Sequence, residues 1–325
     1  MILNMINYEN TIDKIQDRVR GALYGVAIGD AMGGPLEFCD ADYIKARYGQ
    51  VREMIGGGWL NLKPGEVTDD TQMTLCVAEG ILENPNDPVQ TIGRRFIEWY
   101  DSKPKDIGNT CALAIRKVKL LSSTKKAAWA AVSREIEQEQ HGMNGGNGAL
   151  MRTIYPAVFY HDPKTRKRYV KAIAEMTHRN DESTDICIQY CDLVHMAIFG
   201  DYPDHDKLKH YAENAKPTGY VVNTWSNVID ALDETQSFEE AIINAVNRGG
   251  DADTIGAITG GLVGACYGYD AIPKRWIECL DKQLTEELDS LTRAAIRETE
   301  RYCRRLEEAL LLQADDDPEN AQQGK

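Results

Sequence analysis

Several features that define particular classes of protein are missing from this chain of 325 residues. The first ten residues contain no apolar run of the length found in signal peptides, and charged residues soon follow them. The apolar, glycine-laced segment 255–266 is too short to span a membrane, and it opens directly after two aspartates. We therefore expect a cytoplasmic protein with no membrane partner.

A basic stripe is also missing. The formal net charge is −14, and the basic clusters Arg166-Lys167-Arg168 and Arg304-Arg305 are isolated from one another. Binding to nucleic acid needs a concentrated positive surface, so we expect no nucleic-acid partner. An acidic surface suits a basic partner instead, such as a protein substrate that presents arginine.

The eight cysteines contain no C-x-x-C motif, and most of them interrupt apolar helical patterns. Cys187 and Cys191 would lie on one helix face, but no second Cys/His pair stands at a spacing that would complete a zinc site. We expect reduced thiols in the core, as in other proteins of a reducing compartment.

No series of alternating apolar and polar residues predicts β-strands, whereas apolar residues recur at three- and four-residue steps in many segments. We expect an all-α fold, a single-domain orthogonal helical bundle over residues 11–312. Residues 1–10 would be an N-terminal extension and 313–325 a disordered acidic tail. The predicted helices are 11–28, one that starts near Met73, 89–100, 111–121, 123–140, 163–176, 182–199, 207–215, 221–232, 238–247, 255–266 and 285–312.

Glycines recur every fourth residue in the helix predicted at 255–266, at Gly256, Gly260 and Gly264, with Gly268 just beyond it. They would form one ridge without side chains. Each glycine costs about 1 kcal/mol of helix propensity relative to alanine. Close approach by a neighbouring helix would explain why that cost is tolerated.

The same helix begins with two carboxylates and a hydroxyl, from Asp251, Asp253 and Thr254. Capping of the helix N-terminus is one explanation, but a cap needs only one acid. Three converging oxygens also suit a hard cation such as Mg²⁺, Mn²⁺ or Ca²⁺. Thr68-Asp69-Asp70 repeats this pattern at a second predicted helix start, and two divalent cations held between the motifs would explain both.

Loops between other predicted helices carry further polar residues. A glycine-rich turn contains Asp30 and Glu37, and a later loop contains Asp106 and Asn109. Surface acids and helix caps are the ordinary alternatives for these residues. The Gly/Asn loop 143–152 has amides that can bind phosphate oxygens, although no G-K-[ST] sequence of a Walker motif follows it.

Together and in this order, five motifs resemble those of the ADP-ribosylglycohydrolase family, and within it the bacterial dinitrogenase reductase-activating type. They span about residues 15 to 270, and the ordered set is far more specific than any single motif. The motifs are Gly29-Asp30-Ala31 with Glu37, Thr68-Asp69-Asp70, Asn147-Gly148-Ala149-Leu150-Met151-Arg152, Thr177-His178, and Gly249-Gly250-Asp251-Ala252-Asp253-Thr254-Ile255-Gly256.

The resemblance implies a binuclear centre of Mg²⁺ or Mn²⁺ and a role for each matching residue. The implied metal ligands are Thr68, Asp69, Asp70, Asp251, Asp253 and Thr254. The implied catalytic residues are Glu37, Asp69, Asp253 and Asp106. The implied substrate-binding residues are Asp30, Asn109, Asn147, Gly148, Ala149 and His178.

The implied reaction is metal-dependent hydrolysis of the N-glycosidic bond between ADP-ribose and a modified side chain of a protein substrate. Arginine is the expected side chain, because the carboxylate of Asp106 could pair with a guanidinium. We expect Glu37, or a carboxylate that binds metal, to take a proton from the attacking water. The leaving guanidine would receive its proton from Asp106 or solvent.

Three other functions remain open at this point. The chain could be a catalytically silent binding protein of the same fold, although both acidic motifs and Glu37 are intact. It could be the immunity partner that blocks an ADP-ribosyltransferase toxin, with or without hydrolase activity. It could also be a two-metal phosphohydrolase, although no metal-binding histidine accompanies the acids.

Overall fold

The computed structural model describes the backbone of residues 2–200 and 215–315, and the side chains of 11–200 and 215–309. Within these ranges there are fourteen α-helices and no β-strand, which confirms the predicted all-α class. None of the described helices has both the length and the apolar character needed to cross a membrane. The helices are α1 (Ile2–Gly33), α2 (Ala41–Tyr48), α3 (Asp69–Glu83), α4 (Pro88–Asp101), α5 (Asn109–Leu120), α6 (Lys126–Glu139), α7 (Tyr155–Phe159), α8 (Pro163–Ala174), α9 (Asp181–Phe199), α10 (Val221–Asp233), α11 (Phe238–Asn247), α12 (Ala252–Tyr267), α13 (Lys274–Cys279) and α14 (Lys282–Asp315).

The two terminal helices are longer than the sequence predicts. The backbone of α1 is helical from residue 2, so the predicted boundary at residue 11 is not a break in the helix. At the other end α14 continues to residue 315, and residues 316–325 of the predicted tail lie outside the described residues. The helix predicted at 207–215 also lies outside them, apart from its last residue.

Three short helices, α2, α7 and α13, have no counterpart in the sequence prediction. The five residues of α7 are all buried, so no polar face marks their period. No disulfide bond joins any two of the eight cysteines, all of which lie in the described residues, and five of them are buried, as expected for reduced core thiols.

Helices α1 and α12 pack backbone against backbone, as the glycine ridge predicts. A Cβ atom built on Gly256 would lie 2.5 Å from the carbonyl oxygen of Gly29, and one on Gly260 would lie 2.0 Å from that of Gly25. At Gly264 the distance to the Gly21 oxygen would be 2.1 Å. These three α12 glycines thus each face a glycine of α1, which carries a second ridge of glycines at four-residue steps.

Every residue of α12 from 252 to 266 is buried, so this helix forms the centre of the core. Its N-terminus lies beside the C-terminus of α1, where a Cβ on Gly33 would lie 2.2 Å from the carbonyl oxygen of Ala252. A 3₁₀ turn over Gly34–Leu36 continues from α1 and delivers Glu37. The close pairing of the two helices therefore brings Glu37 towards the acids at the start of α12.

Candidate metal and substrate site

Asp30 joins the end of α1 to the start of α3. Its carboxylate accepts hydrogen bonds from the backbone N–H groups of Thr68, at 3.0 Å, and Thr71, at 3.1 Å. It also accepts from their hydroxyl groups, at 2.8 and 2.5 Å. Burial raises the pKa of Asp30 to about 6, although these hydrogen bonds act against the shift. Asp30 is thus an N-terminal cap for α3 that comes from another helix.

The N-termini of α3 and α12 meet through hydrogen bonds between their polar side chains. The Oδ2 atom of Asp70 accepts from the hydroxyl groups of Thr68, at 3.2 Å, and Thr254, at 3.4 Å. The other oxygen of Asp70, Oδ1, is buried and has no hydrogen-bond partner. An unpaired buried carboxylate oxygen is costly, and a bound cation would satisfy it.

A second group of carboxylates lies on the cleft side of these helix ends. Glu37, Asp106 and Asp253 each offer an oxygen atom, and these three atoms lie within 4.8 Å of one another. The indole N–H of Trp59 donates to Oε2 of Glu37 at 2.6 Å and holds that side chain in place. The backbone N–H of Gly108 donates to Oδ2 of Asp69 at 3.1 Å. The loop before α5 is thereby tied to α3.

All of these acids have raised pKa values. Burial is the largest cause in each case, and repulsion by neighbouring carboxylates adds to it for most of them. The pKa of Glu37 rises to about 8. A divalent cation would reverse these shifts, because it supplies the positive charge that the cluster lacks. The oxygen-only donor set fits a hard cation such as Mg²⁺ or Mn²⁺. The acids with raised pKa values are Glu37, Asp69, Asp70, Asp106, Asp251 and Asp253.

The loop before Arg152 forms the opposite wall. The side-chain amide of Asn147 donates to Oδ2 of Asp251 at 2.5 Å and to the Thr224 hydroxyl at 2.9 Å. His178 lies directly against Gly148 and leaves little room for a side chain there. A Cβ atom at this position would lie 3.0 Å from the imidazole ring. The Gly/Asn loop is therefore fixed directly against the acidic cluster.

His178 is held by a chain of hydrogen bonds that begins at Arg152. The guanidinium of Arg152 is fully buried and donates to the Thr177 hydroxyl at 2.7 Å and to the Gly148 carbonyl at 2.6 Å. The Thr177 hydroxyl lies 2.7 Å from Nδ1 of His178. Burial lowers the pKa of His178 to about 3, so the ring is neutral. The contact at Nδ1 leaves Nε2 on the side of the Gly/Asn loop.

These walls enclose a cleft of about 680 Å³. Ten of the predicted site residues line it, which brings together side chains from six separate parts of the chain. Asp30, Thr68, Asp70 and Ala149 are buried behind the surface of the cleft. The predicted residues that line the cleft are Glu37, Asp69, Asp106, Asn109, Asn147, Gly148, His178, Asp251, Asp253 and Thr254.

Asp30 and Ala149, for which the resemblance implies substrate binding, are buried and do not line the cleft. Both carboxylate oxygens of Asp30 accept hydrogen bonds from Thr68 or Thr71. Ala149 is fully buried, at the point where the Gly/Asn loop enters a 3₁₀ turn. Asp30 thus positions the start of α3, and substrate binding by either residue stays a prediction.

Sequence reasoning missed several residues of the cleft. Phe38 and Trp59 lie at its edge, and Thr218 and Gly219 lie beside Asn147. The backbone N–H of Asn147 donates to the Gly219 carbonyl at 3.0 Å. The one available signal was the position of Phe38 directly after Glu37. Trp59 stands in a glycine-rich loop, and nothing in the sequence connects that loop with Glu37.

The fold and the acidic cleft define a recognisable class of enzyme. The chain belongs to the ADP-ribosylglycohydrolase family, whose model matches residues 11–305. This finding confirms the resemblance drawn from the ordered motifs, and it places the protein at family level among hydrolases of ADP-ribosylated substrates.

Individual relatives resemble the chain over most of its length. It is 34% identical over 287 residues to the ADP-ribosyl-[dinitrogen reductase] glycohydrolase of Rhodospirillum rubrum, with 84% of this chain and 94% of the relative covered. It is 31% identical to the ADP-ribosylarginine hydrolase Tri1 of Serratia proteamaculans, with 82% and 76% covered. A solved structure described as an ADP-ribosylglycohydrolase-related protein complex superposes with a TM-score of 0.72 at 29% identity, over 88% of this chain and 99% of that one.

Proposed function

We propose that this protein hydrolyses the N-glycosidic bond between ADP-ribose and an arginine side chain of a protein, and that the reaction depends on two divalent cations, Mg²⁺ or Mn²⁺. The ADP-ribosylated protein would be its substrate and partner. The names of two relatives, one acting on ADP-ribosyl-dinitrogen reductase and one on ADP-ribosylarginine, support this choice.

The observation that carries the proposal is the charge of the cleft. Five carboxylates line it, and the described lining residues include no lysine or arginine. Such a site attracts cations, both metal ions and a positively charged leaving group. The lining carboxylates are Glu37, Asp69, Asp106, Asp251 and Asp253.

The acids at the two helix ends would hold the cations. Asp70 has a free buried oxygen for this purpose, and Asp69, Asp251 and Asp253 present their carboxylates to the cleft. Thr68 and Thr254 would add hydroxyl oxygens. When bound, the cations would neutralise the cluster, orient the hydroxyl groups of a ribose and lower the pKa of water.

The remaining residues bind and transfer protons. The indole N–H of Trp59 is hydrogen-bonded to Oε2 of Glu37. The Oε1 atom of Glu37 would therefore accept the proton from the attacking water. Asp106 lies within reach of Glu37 and Asp253, and its ionised carboxylate would pair with the guanidinium. The neutral guanidine that leaves would take its proton from solvent or, through Asp106, the proton that Glu37 removes from the water. The Asn147–Gly148 loop and neutral His178 would hold the ribose and pyrophosphate.

Mass spectrometry of ADP-ribose release tests the proposal. Peptides that carry ADP-ribose on arginine or on serine are incubated with the protein in Mg²⁺, in Mn²⁺ and in EDTA. We expect release from the arginine peptide in either metal and none in EDTA. Release from the serine peptide alone would overturn the substrate, and release of phosphate in place of intact ADP-ribose would overturn the reaction class.

Two matched variants locate the activity in the cleft. Asp253→Asn should reduce metal-dependent release by more than about 100-fold while helix content stays unchanged, because the amide cannot replace a charged ligand. Asp13→Asn makes the same change on an exposed part of α1 and should retain full activity. Full activity in Asp253→Asn would contradict the assignment of this cluster.

A further inference from the structure

Two large aromatic side chains stand exposed at the edge of the cleft. Phe38 is 73% exposed and Trp59 is 55% exposed. Their ring centroids are 5.5 Å apart and their planes are inclined by 43°. Both line the cleft, and Trp59 is also the residue that holds Glu37. Neighbouring aromatic surface that stays exposed commonly marks a site of interaction.

The backbone keeps this aromatic pair in place despite an unfavourable conformation. Phe38 has a φ of 63°, in the left-handed region that non-glycine residues rarely adopt. Its N–H donates to the carbonyl oxygen of Gly250 at 2.7 Å, which links it to the loop before α12. Next to Trp59, a Cβ on Gly58 would lie 2.8 Å from Pro35, so the two loops are in close contact. The pair is therefore built into the fold.

The charges beside the pair indicate which chemical group it suits. Glu37 is hydrogen-bonded to Trp59, and Asp106 belongs to the same group of carboxylates as Glu37. The described residues that line the cleft include no lysine or arginine. Aromatic faces attract cations through their quadrupole, and a planar guanidinium can stack on a ring while it pairs with carboxylates. Serine offers neither a charge nor a flat surface.

From these observations we infer that Phe38 and Trp59 form the subsite for the acceptor side chain and that they select a guanidinium. The inference rests on the proposed function, because it names the part of that substrate which the aromatic pair binds. Trp59 contacts the carboxylate that is assigned to proton transfer, so a guanidinium stacked on this pair lies beside the bond to be cleaved.

The test compares two ligands that differ only in the acceptor. ADP-ribosyl-arginine carries the guanidinium, and ADP-ribose lacks it. In Phe38→Ala we expect the affinity for ADP-ribosyl-arginine to fall about 3- to 10-fold while the affinity for ADP-ribose stays constant, as for the loss of one cation–π contact. Phe38→Tyr keeps the ring and should retain the wild-type ratio. Tyr48→Ala removes an aromatic residue that is 42% exposed on α2, and it should change neither affinity.

Two results would overturn the inference. One is an unchanged affinity for both ligands in Phe38→Ala. The other is an equal loss of affinity for both ligands, which would place the ring against the nucleotide. Single-turnover kinetics give the substrate affinity if the protein hydrolyses ADP-ribosyl-arginine, and calorimetry gives it if the protein does not.

The same measurements separate this inference from the proposed function. If the wild type hydrolysed nothing but its affinity ratio still depended on Phe38, the proposed function would fail and the subsite would stand. If the wild type released ADP-ribose from arginine but the ratio did not depend on Phe38, the function would stand and the subsite would fail.

Discussion

Replacing Gly25 with alanine would place a methyl group against the backbone of α12. The new carbon would lie 2.0 Å from the carbonyl oxygen of Gly260, whereas ordinary van der Waals contact begins at 3.4 Å. The two helices would have to separate here by about 1.4 Å, the difference between these distances. Both sides of the contact are backbone, so no side-chain rotation can relieve it.

The change should reduce the free energy of unfolding by about 1–3 kcal/mol. Overpacking of a well-packed core costs about that much. The better helix propensity of alanine returns at most about 1 kcal/mol. A melting temperature several degrees lower is therefore expected.

The variant should lose most of its activity even under conditions in which it remains folded. Helix α1 leads to Glu37 and α12 starts at the acids around Asp253, and oxygen atoms of these two side chains lie within 4.8 Å of each other. Displacement of catalytic groups by about 1 Å can cost 10²-fold in rate. We expect Gly25→Ala to fold at room temperature but to release ADP-ribose about 100-fold more slowly.

Thermal unfolding and the release assay measure both effects. Thr259→Val is the matched control on α12, because it keeps the size of the side chain and removes a buried hydroxyl that has no hydrogen-bond partner. It should leave the melting temperature equal or higher, with full activity. Wild-type stability together with wild-type activity in Gly25→Ala would refute the argument that this contact sets the geometry of the site.

Three further predictions concern the acids and His178. In EDTA the stability of the metal-free protein should fall as the pH rises from about 4.5 towards 8. The pKa of Glu37 is 4.5 when unperturbed and about 8 in the fold, so the folded state binds an extra proton in this range. A melting temperature that rises across this range would contradict the prediction. Asp70→Asn should raise the melting temperature of the metal-free protein at pH 8, since burial and neighbouring carboxylates disfavour the ionised form of Asp70, which raises its pKa. It should also abolish most of the increase in melting temperature that Mg²⁺ produces in the wild type. Melting temperatures with and without Mg²⁺ test both expectations. If Mg²⁺ raised the melting temperature of the variant as much as that of the wild type, Asp70 would not be a ligand. Thr177→Val removes the hydroxyl 2.7 Å from Nδ1 of His178. Calorimetry should show that ADP-ribose binds about 3- to 10-fold more weakly to this variant. An unchanged dissociation constant would show that other contacts hold the imidazole ring.

The sequence by itself determined the helical class, most helix positions and the close contact along the α12 glycines. Helix periodicity and helix-end signals extend over a few residues, so they can be read locally. The two acidic motifs were recognisable for the same reason, since each stands at a helix start. Short, fully buried segments without a polar face, such as α7, carry no such signal.

Only the tertiary structure decided which residues meet in the cleft. Trp59 and Glu37 are 22 residues apart, and Asn147 and Asp251 are 104 apart, yet each pair forms a hydrogen bond. The sequence around Asp30 suggests a glycine-rich turn close to a ligand. In the structure Asp30 is buried and caps the N-terminus of α3. Such contacts depend on how helices pack over the whole chain, and no local pattern records that packing. The position of Phe38 and Trp59 at the mouth of the cleft was decided in the same way.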